Sequence, residues 1–214
     1  MKLVFFSLLT CLALSTAASA QEAGWISLFN GKDLTGWKSN EQGEGLTGIF
    51  TVEDGMIKAS GGRAHMFYMG PDGNASFKNF ELKAKFMTKP GANSGIYFHT
   101  VFQEKNWPDK GFECQVNATH TDHIKTGSLY HVVNVMDNAP NKDDVWSEYD
   151  IKVEDKHVIL KVDGQTTVDW VQPDDWQSPK GHKDRVLDKG TFALQAHDPK
   201  STTYFKDIYL KVLP

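Results

Sequence analysis

The sequence predicts an all-β protein, a two-sheet sandwich or jelly roll built as one domain. Three observations point there. Short runs of strict apolar–polar alternation recur along the chain, the period-2 signature of half-buried strands. Clusters of Gly, Pro, Asn and Asp separate these runs, as turns require. No long stretch carries the 3.6-residue periodicity of an amphipathic helix. Composition agrees. A chain of 214 residues that is 40% hydrophobic can bury a core, and 18 glycines with 12% aromatics suit turn-rich sheets. The net charge of −4 argues against the basic face that nucleic acid requires, so no nucleic-acid partner is expected.

Taken in order, the chain opens on a leader-like stretch. Lys2 supplies a short positive region, an apolar run covers residues 3–14, and Ala18-Ser19-Ala20 has the small-x-small pattern of a cleavage site. The expectation is a secretory signal peptide over residues 1–20 and one sandwich domain over residues 21–214. The run is shorter than the roughly 20 apolar residues of a membrane helix, so no span is expected and the location expected is exported. A lipoprotein signal ending at Cys11 is the alternative, with Thr10 before it a poor fit. Cys11 lies within the leader, which leaves Cys114 as the single cysteine of the domain and no internal disulfide.

The strands follow from the alternation. Residues 80–86 place Phe80, Leu82, Ala84 and Phe86 on one face and Glu81, Lys83 and Lys85 on the other. Residues 149–153, 158–162 and 208–212 do the same, and Asp163-Gly164 is a hairpin signal between 158–162 and 165–171. Further strands are expected at 49–52, 56–59, 95–101, 112–117, 129–135 and 191–197. One helical turn is expected near 174–177. Four long polar loops remain, at 103–110, 117–126, 137–144 and 173–189, the last basic and carrying Trp176. Loops of this length in a small domain are commonly functional or mobile.

Three strands pair a core face with an unusual second face. Glu113 and Gln115 share one face of 112–117, Gln195 and His197 one face of 191–197, and Tyr97 and His99 one face of 95–101. An ordinary solvent face is richer in Lys, Glu, Ser and Thr, so neighbouring strands of this kind would form a polar, aromatic-edged groove. Trp107, Trp170 and Trp176 lie in or near loops, where they either stack on sugar rings or close the core. His120-Thr121-Asp122-His123 offers metal-ligand chemistry without the framework of a zinc signature. The oxygen-rich stretch 137–144 lacks the spacing and central glycine of an EF-hand and reads as a solvated loop, with a structural calcium ion as the alternative. Asn74 and Asn117 open formal glycosylation sequons. There is no nucleophile elbow, P-loop or dinucleotide fingerprint.

An ordered series of motifs then resembles the 3-keto-disaccharide hydrolase domain family. It begins with Gly24-Trp25-Ile26-Ser27-Leu28-Phe29-Asn30-Gly31-Lys32-Asp33-Leu34-Thr35-Gly36-Trp37. It continues through Asn93-Ser94-Gly95-Ile96-Tyr97-Phe98, Phe112-Glu113-Cys114-Gln115-Val116, Thr126-Gly127-Ser128-Leu129-Tyr130, Trp146-Ser147-Glu148-Tyr149 and Gly190-Thr191-Phe192-Ala193-Leu194-Gln195-Ala196-His197. The resemblance implies a concanavalin A-like jelly-roll sandwich in an exported, periplasmic or secreted bacterial protein of glycan breakdown. Its Glu-x-Gln, Gln-x-His and Asn-Ser-Gly motifs fall on Glu113 and Gln115, on Gln195 and His197, and on Asn93 to Gly95. The chain departs from the commoner family pattern around the final His, where it has Ala196 and Asp198, and after Tyr130, where His131-Val132-Val133-Asn134 follows.

The family's substrate class implies a mechanism. A ketone at C3 of a sugar acidifies the C2 proton, whose loss gives an enolate, and the C1 substituent then leaves; water adding back completes a net hydrolysis. That chemistry needs a base, an electrophile for the C3 oxygen and an acid for the leaving group. The expected catalytic residues are Glu113 and His197, one as base and the other assisting departure. Expected substrate contacts are Asn93, Tyr97, His99, Gln115, Tyr130, His131, Gln195, Trp107 and Trp176. A divalent metal ion polarising the ketone is compatible with this chemistry, with no ligands assigned. The partner expected is a saccharide substrate. The alternative reading is a non-catalytic, lectin-like carbohydrate-binding module on the same fold.

Overall fold

A computed structural model describes residues 24–40 and 48–214. The leader expected over 1–20 lies outside the described residues. In chain order the strands are β1 (Trp25–Ser27), β2 (Trp37–Ser39), β3 (Phe50–Glu53), β4 (Met56–Ser60), β5 (Ala64–Tyr68), β6 (Phe80–Thr88) and β7 (Ser94–Thr100). They continue with β8 (Phe112–Val116), β9 (Ser147–Glu154), β10 (His157–Val162), β11 (Gln165–Val171), β12 (Thr191–Ala196) and β13 (Thr202–Val212). They form two antiparallel sheets packed face to face. The larger runs β11-β10-β9-β6-β13-β4-β3 with β1 paired to β13, and the smaller runs β2-β5-β12-β7-β8.

The larger sheet realises the alternation directly. Along β6, Phe80, Leu82, Ala84 and Phe86 are buried while Glu81, Lys83 and Lys85 face outward. Leu82 pairs with Ile151 of β9 and Leu210 of β13, so the apolar side chains stack in rows across the sheet. Asp163-Gly164 joins β10 to β11 with both residues at positive φ (49° and 78°), the conformation a two-residue turn needs to match strand twist.

Apart from the short edge strand β2, the smaller sheet is buried on both faces. Met66, Ile96, Phe98, Phe112, Cys114, Val116, Phe192 and Leu194 pack into the core shared with the larger sheet. Its other face carries His65, Phe67, Tyr97, Glu113, Gln115, Ala193 and Gln195 beneath the long loops. Two-sided burial explains why β5 escapes the alternation rule: Ala64-His65-Met66-Phe67-Tyr68 is buried at every position. The short β1 and β2 and the first half of β13 also lie beyond the expected strands.

Residues 129–135, expected as a strand, instead turn back on themselves. Val132 and Val133 both donate their N–H to the carbonyl of Leu129, and His131 sits at φ 64°. Leu129 fills the core while Tyr130 donates its N–H to the carbonyl of Glu113, so this segment covers the open edge of β8. Residues 174–177 form a plain turn, closed by the Trp176 N–H on the carbonyl of Pro173, rather than a helical turn.

Candidate functional site

The register of the smaller sheet brings the predicted motifs together. Tyr97 lies opposite Glu113, and Gly95 opposite Gln115. On the other flank of β7, Ala193 lies opposite Tyr97, and Gln195 in turn opposite His65. The odd-numbered side chains of three adjacent strands therefore converge on one pocket with Asn93 and His197 at its end. Tyr97 donates its hydroxyl to Glu113 Oε2 at 2.8 Å, and Gln195 Nε2 donates to Glu113 Oε1 at 2.9 Å. Gly95 makes room for that carboxylate: a Cβ there would lie 2.7 Å from Glu113 Oε1.

Glu113 is only 5% exposed. Burial raises its pKa above the usual carboxylate range, partly offset by Arg185 and by the hydrogen bonds from Tyr97 and Gln195. The Tyr97 phenol is pushed well above its ordinary value, by burial first and the Glu113 charge second, so it remains a donor. Three buried amide oxygens in the pocket, on Asn93, Gln115 and Gln195, have no hydrogen-bond donor. Unmet acceptors in a buried site are costly unless a ligand brings donors to them.

Arg185 was not singled out from the sequence. It is 3% exposed, and its guanidinium sits 3.8 Å from Glu113 Oε2 while donating to the carbonyl of Tyr130. The signal was present in composition. The chain has two arginines against many lysines, and both reach the groove: Arg185 at Glu113 and Arg63 over the Trp107 ring at 5.4 Å. His65 and His182 were also missed. His65 is fully buried, with neither ring nitrogen hydrogen-bonded, and burial drives its pKa down to about 3.

Two expected contacts belong elsewhere. His99 does not share the groove face with Tyr97. A bulge in β7 opposite Thr191–Ala193, with His99 at φ 53°, turns its side chain away. Its Nε2 donates to the carbonyl of Lys78 at 2.8 Å and its Nδ1 accepts the Asp188 N–H at 3.3 Å, so His99 anchors the loop that carries Arg185. Gly111 and Gly190 press against the bulged backbone, with a Cβ on either falling within 2.4 Å of it. Trp176 is likewise a buckle rather than a platform. It packs edge-on against Trp170 and donates Nε1–H to the carbonyl of Arg185 at 2.6 Å. Trp107, by contrast, is 39% exposed at the pocket wall, 5.2 Å from the His197 ring.

Tyr130 and His131 line the pocket, with the Tyr130 hydroxyl donating to Asp122 Oδ2 at 3.0 Å. Of residues 120–123, Asp122 reaches the site through Tyr130 and His120 through its ring contact with His197, whereas His123 pairs with Asp137 in solvent. The carboxylates of 137–144 go to separate partners, Asp143 to Thr88 and Thr119 and Asp144 to Lys89. Asn117 is buried, its side chain bonded within its own loop, and so is not a free sequon.

His120, His197 and Asp198 bring one potential ligand atom each within 4.8 Å of one another. Two imidazoles and a carboxylate suit a zinc-class ion by type. Their hydrogen bonds do not fit one. His120 Nδ1 already accepts the Asp122 N–H, which leaves the ring proton on Nε2. Asp198 already accepts from His197 Nδ1, Ser201 Oγ and the Lys200 N–H. As arranged His197 is bonded to Asp198 while His120 Nε2 stands 3.8 Å from the same carboxylate, and no step below passes through a metal.

The fold and the groove define a concanavalin A-like sandwich whose smaller sheet presents one buried carboxylate, two glutamines and a histidine to a pocket. The chain belongs to the 3-keto-α-glucoside-1,2-lyase-like domain family, whose sequence model matches residues 24–211. A curated relative from Bacteroides thetaiotaomicron, named 3-keto-disaccharide hydrolase, is 34% identical over 91 residues, which is 41% of this chain and 30% of that protein's length. Among solved structures, a candidate glycosyl hydrolase from Parabacteroides distasonis superposes with a TM-score of 0.73 at 24% identity, covering 89% of this chain and 94% of that one. A carbohydrate-binding module from Bacillus subtilis superposes at 0.54 and 17% identity, covering 83% and 96%. At these identities the superpositions show the fold alone.

Proposed function

We propose that this protein is an exported enzyme that cleaves 3-keto-glycosides by proton abstraction at C2, elimination of the C1 substituent and hydration. The observation that carries this reading is the single acid of the pocket. Among the described residues lining it, Glu113 is the only carboxylate. A conventional glycosidase flanks the scissile bond with two. Elimination from a 3-keto sugar needs one general base and one general acid instead, and His197 lines the same pocket as Glu113. The amide side chains of Asn93, Gln115 and Gln195 line the same pocket, a residue type suited to sugar hydroxyls. The pocket encloses about 240 Å³, somewhat under the common range for drug-sized ligands, and so suits one sugar unit rather than a long glycan.

Family membership and the name of the Bacteroides relative support the 3-keto specificity. In the reaction the C2–H bond breaks, its proton goes to the base and its electron pair to the C3 enolate. The C1–O bond then breaks and the departing oxygen takes a proton from the acid. Water returns hydroxyl to C1 and a proton to C2. The leader-like residues 1–20 support export, which cell fractionation with an antibody to the domain would test.

The experiment is a paired assay of the purified protein on a 3-keto-glucoside and on the same glucoside unoxidised, with and without added divalent ions. Cleavage of the keto substrate alone is expected. Turnover of neither, with saccharide binding by calorimetry intact in a Glu113→Gln, His197→Ala double variant, would instead make the protein a carbohydrate-binding module.

A further inference from the structure

His197 and Glu113 share the pocket, and the sequence leaves either as the base. The structure separates them through a residue just outside it. His197 Nδ1 lies 2.9 Å from Asp198 Oδ2. Asp198 is itself held from both ends: Ser201 Oγ–H donates to the same oxygen at 2.6 Å and the Lys200 N–H donates to Oδ1 at 2.9 Å. Ser201 Oγ in turn accepts the N–H of Asn93 at 2.9 Å, which ties this turn to the strand opening the groove. The His197 ring is bracketed by Trp107 at 5.2 Å and His120 at 5.5 Å between centroids.

We propose that Asp198 is a positioning residue that holds His197 as the Nδ1–H tautomer, so that Nε2 presents its lone pair to the pocket as the base for the C2 proton. A carboxylate bonded to one ring nitrogen fixes which nitrogen is free. Among the described residues no hydrogen bond engages Nε2. Asp198 stays ionised to do this: burial acts to raise its pKa, but the bonds from Ser201 and His197 outweigh it and bring the pKa to about 2. Glu113 is left the other role. Both its oxygens already accept bonds, from Tyr97 and Gln195, so neither is held as a free base towards C2, and it lines the same pocket, where it exchanges a proton with the leaving oxygen. In the hydration half the roles reverse, with Glu113 taking a proton from water as hydroxyl adds to C1 and the His197 imidazolium returning its proton to C2. The assignment of roles rests on the elimination reading above; the tautomer does not.

Two measurements on the whole protein keep those apart. The first is a long-range ¹H–¹⁵N spectrum of histidine-labelled protein without substrate, with His197 assigned by its loss in His197→Gln. The expected result is an Nδ1–H tautomer in the wild type that shifts to Nε2–H in Asp198→Ala. An Nε2–H wild type, or an unchanged tautomer in the variant, overturns the proposal whether or not the protein turns anything over. A zinc titration that moves the His120 and His197 nitrogens together at one equivalent also overturns it, by making the cluster a cation site.

The second is exchange of the C2 proton for deuterium in D₂O, using a 3-keto sugar with hydrogen at C1 and therefore no leaving group. Exchange is expected to fall at least about tenfold in Asp198→Asn and His197→Ala, and by less in Glu113→Gln than in either. Asp198→Asn keeps the shape of the turn, and Asp198→Glu is expected to recover part of the rate. Exchange lost in Glu113→Gln but kept in Asp198→Asn would make Glu113 the base and overturn the assignment.

Discussion

Gly95→Ala isolates the packing of the pocket from its chemistry. Gly95 lies within β7 at an ordinary strand φ, so alanine brings no backbone strain, and the effect is that of one methyl group. That methyl would stand 2.7 Å from Glu113 Oε1 and 3.0 Å from Glu113 Cγ, closer than carbon approaches either atom. The carboxylate must recede by about half an ångström or more, directly against its 2.9 Å bond from Gln195 Nε2. Weakening one hydrogen bond to a charged group costs about 1.5–3 kcal/mol, within the roughly 1–3 kcal/mol of overpacking generally. At about 2–4 °C per kcal/mol for a domain of this size, the melting temperature should fall by about 3–12 °C. Activity should fall further than stability, because displacing a reacting group by about 1 Å can cost 10²-fold. Thermal melting and kcat/KM on a 3-keto-glucoside measure both. Unchanged melting and a rate within twofold of wild type would refute the argument that Glu113 occupies space only glycine leaves open.

Other substitutions test the remaining assignments. Glu113→Gln and His197→Ala should each lower kcat on a 3-keto-glucoside by at least about tenfold while the fold, followed by circular dichroism, is kept. Trp107→Ala should weaken saccharide binding by about tenfold in calorimetry, the loss of one stacking contact. Trp176→Ala should instead lower the melting temperature, because it unfastens the Arg185 loop. His65 and His99 are held neutral by burial, at pKa values near 3 and 4 against an unfolded value near 6.5. The unfolded chain therefore binds more protons below pH 6.5, and stability drains as the pH falls from about 6.5 toward those values. His65→Phe removes one such site and two unpartnered nitrogens, so the urea midpoint at pH 5 should rise relative to wild type by more than it does at pH 7. An equal change at both would show that His65 is not held neutral.

Glu113, Gln115, Gln195 and His197 were legible as a shared face because β side chains alternate, so the apolar partners Phe112, Cys114, Phe192 and Leu194 oblige them to point the other way. The same logic failed at His99, where one bulged residue reversed the parity of β7, and no local pattern announces a bulge. It failed at β5, where both faces are covered and alternation vanishes.

What the sequence determined by itself is thus the direction of side chains within each strand, a local consequence of backbone geometry. The tertiary structure alone decided which strands lie side by side, and so that Tyr97, Gln195 and Arg185, distant in sequence, meet on one carboxylate. It also decided that Trp176 closes a loop while Trp107 stands at the pocket, and that the turn of His197 and Asp198 is tied through Ser201 to Asn93. Those outcomes depend on long-range pairing and on burial, which no window of neighbouring residues contains.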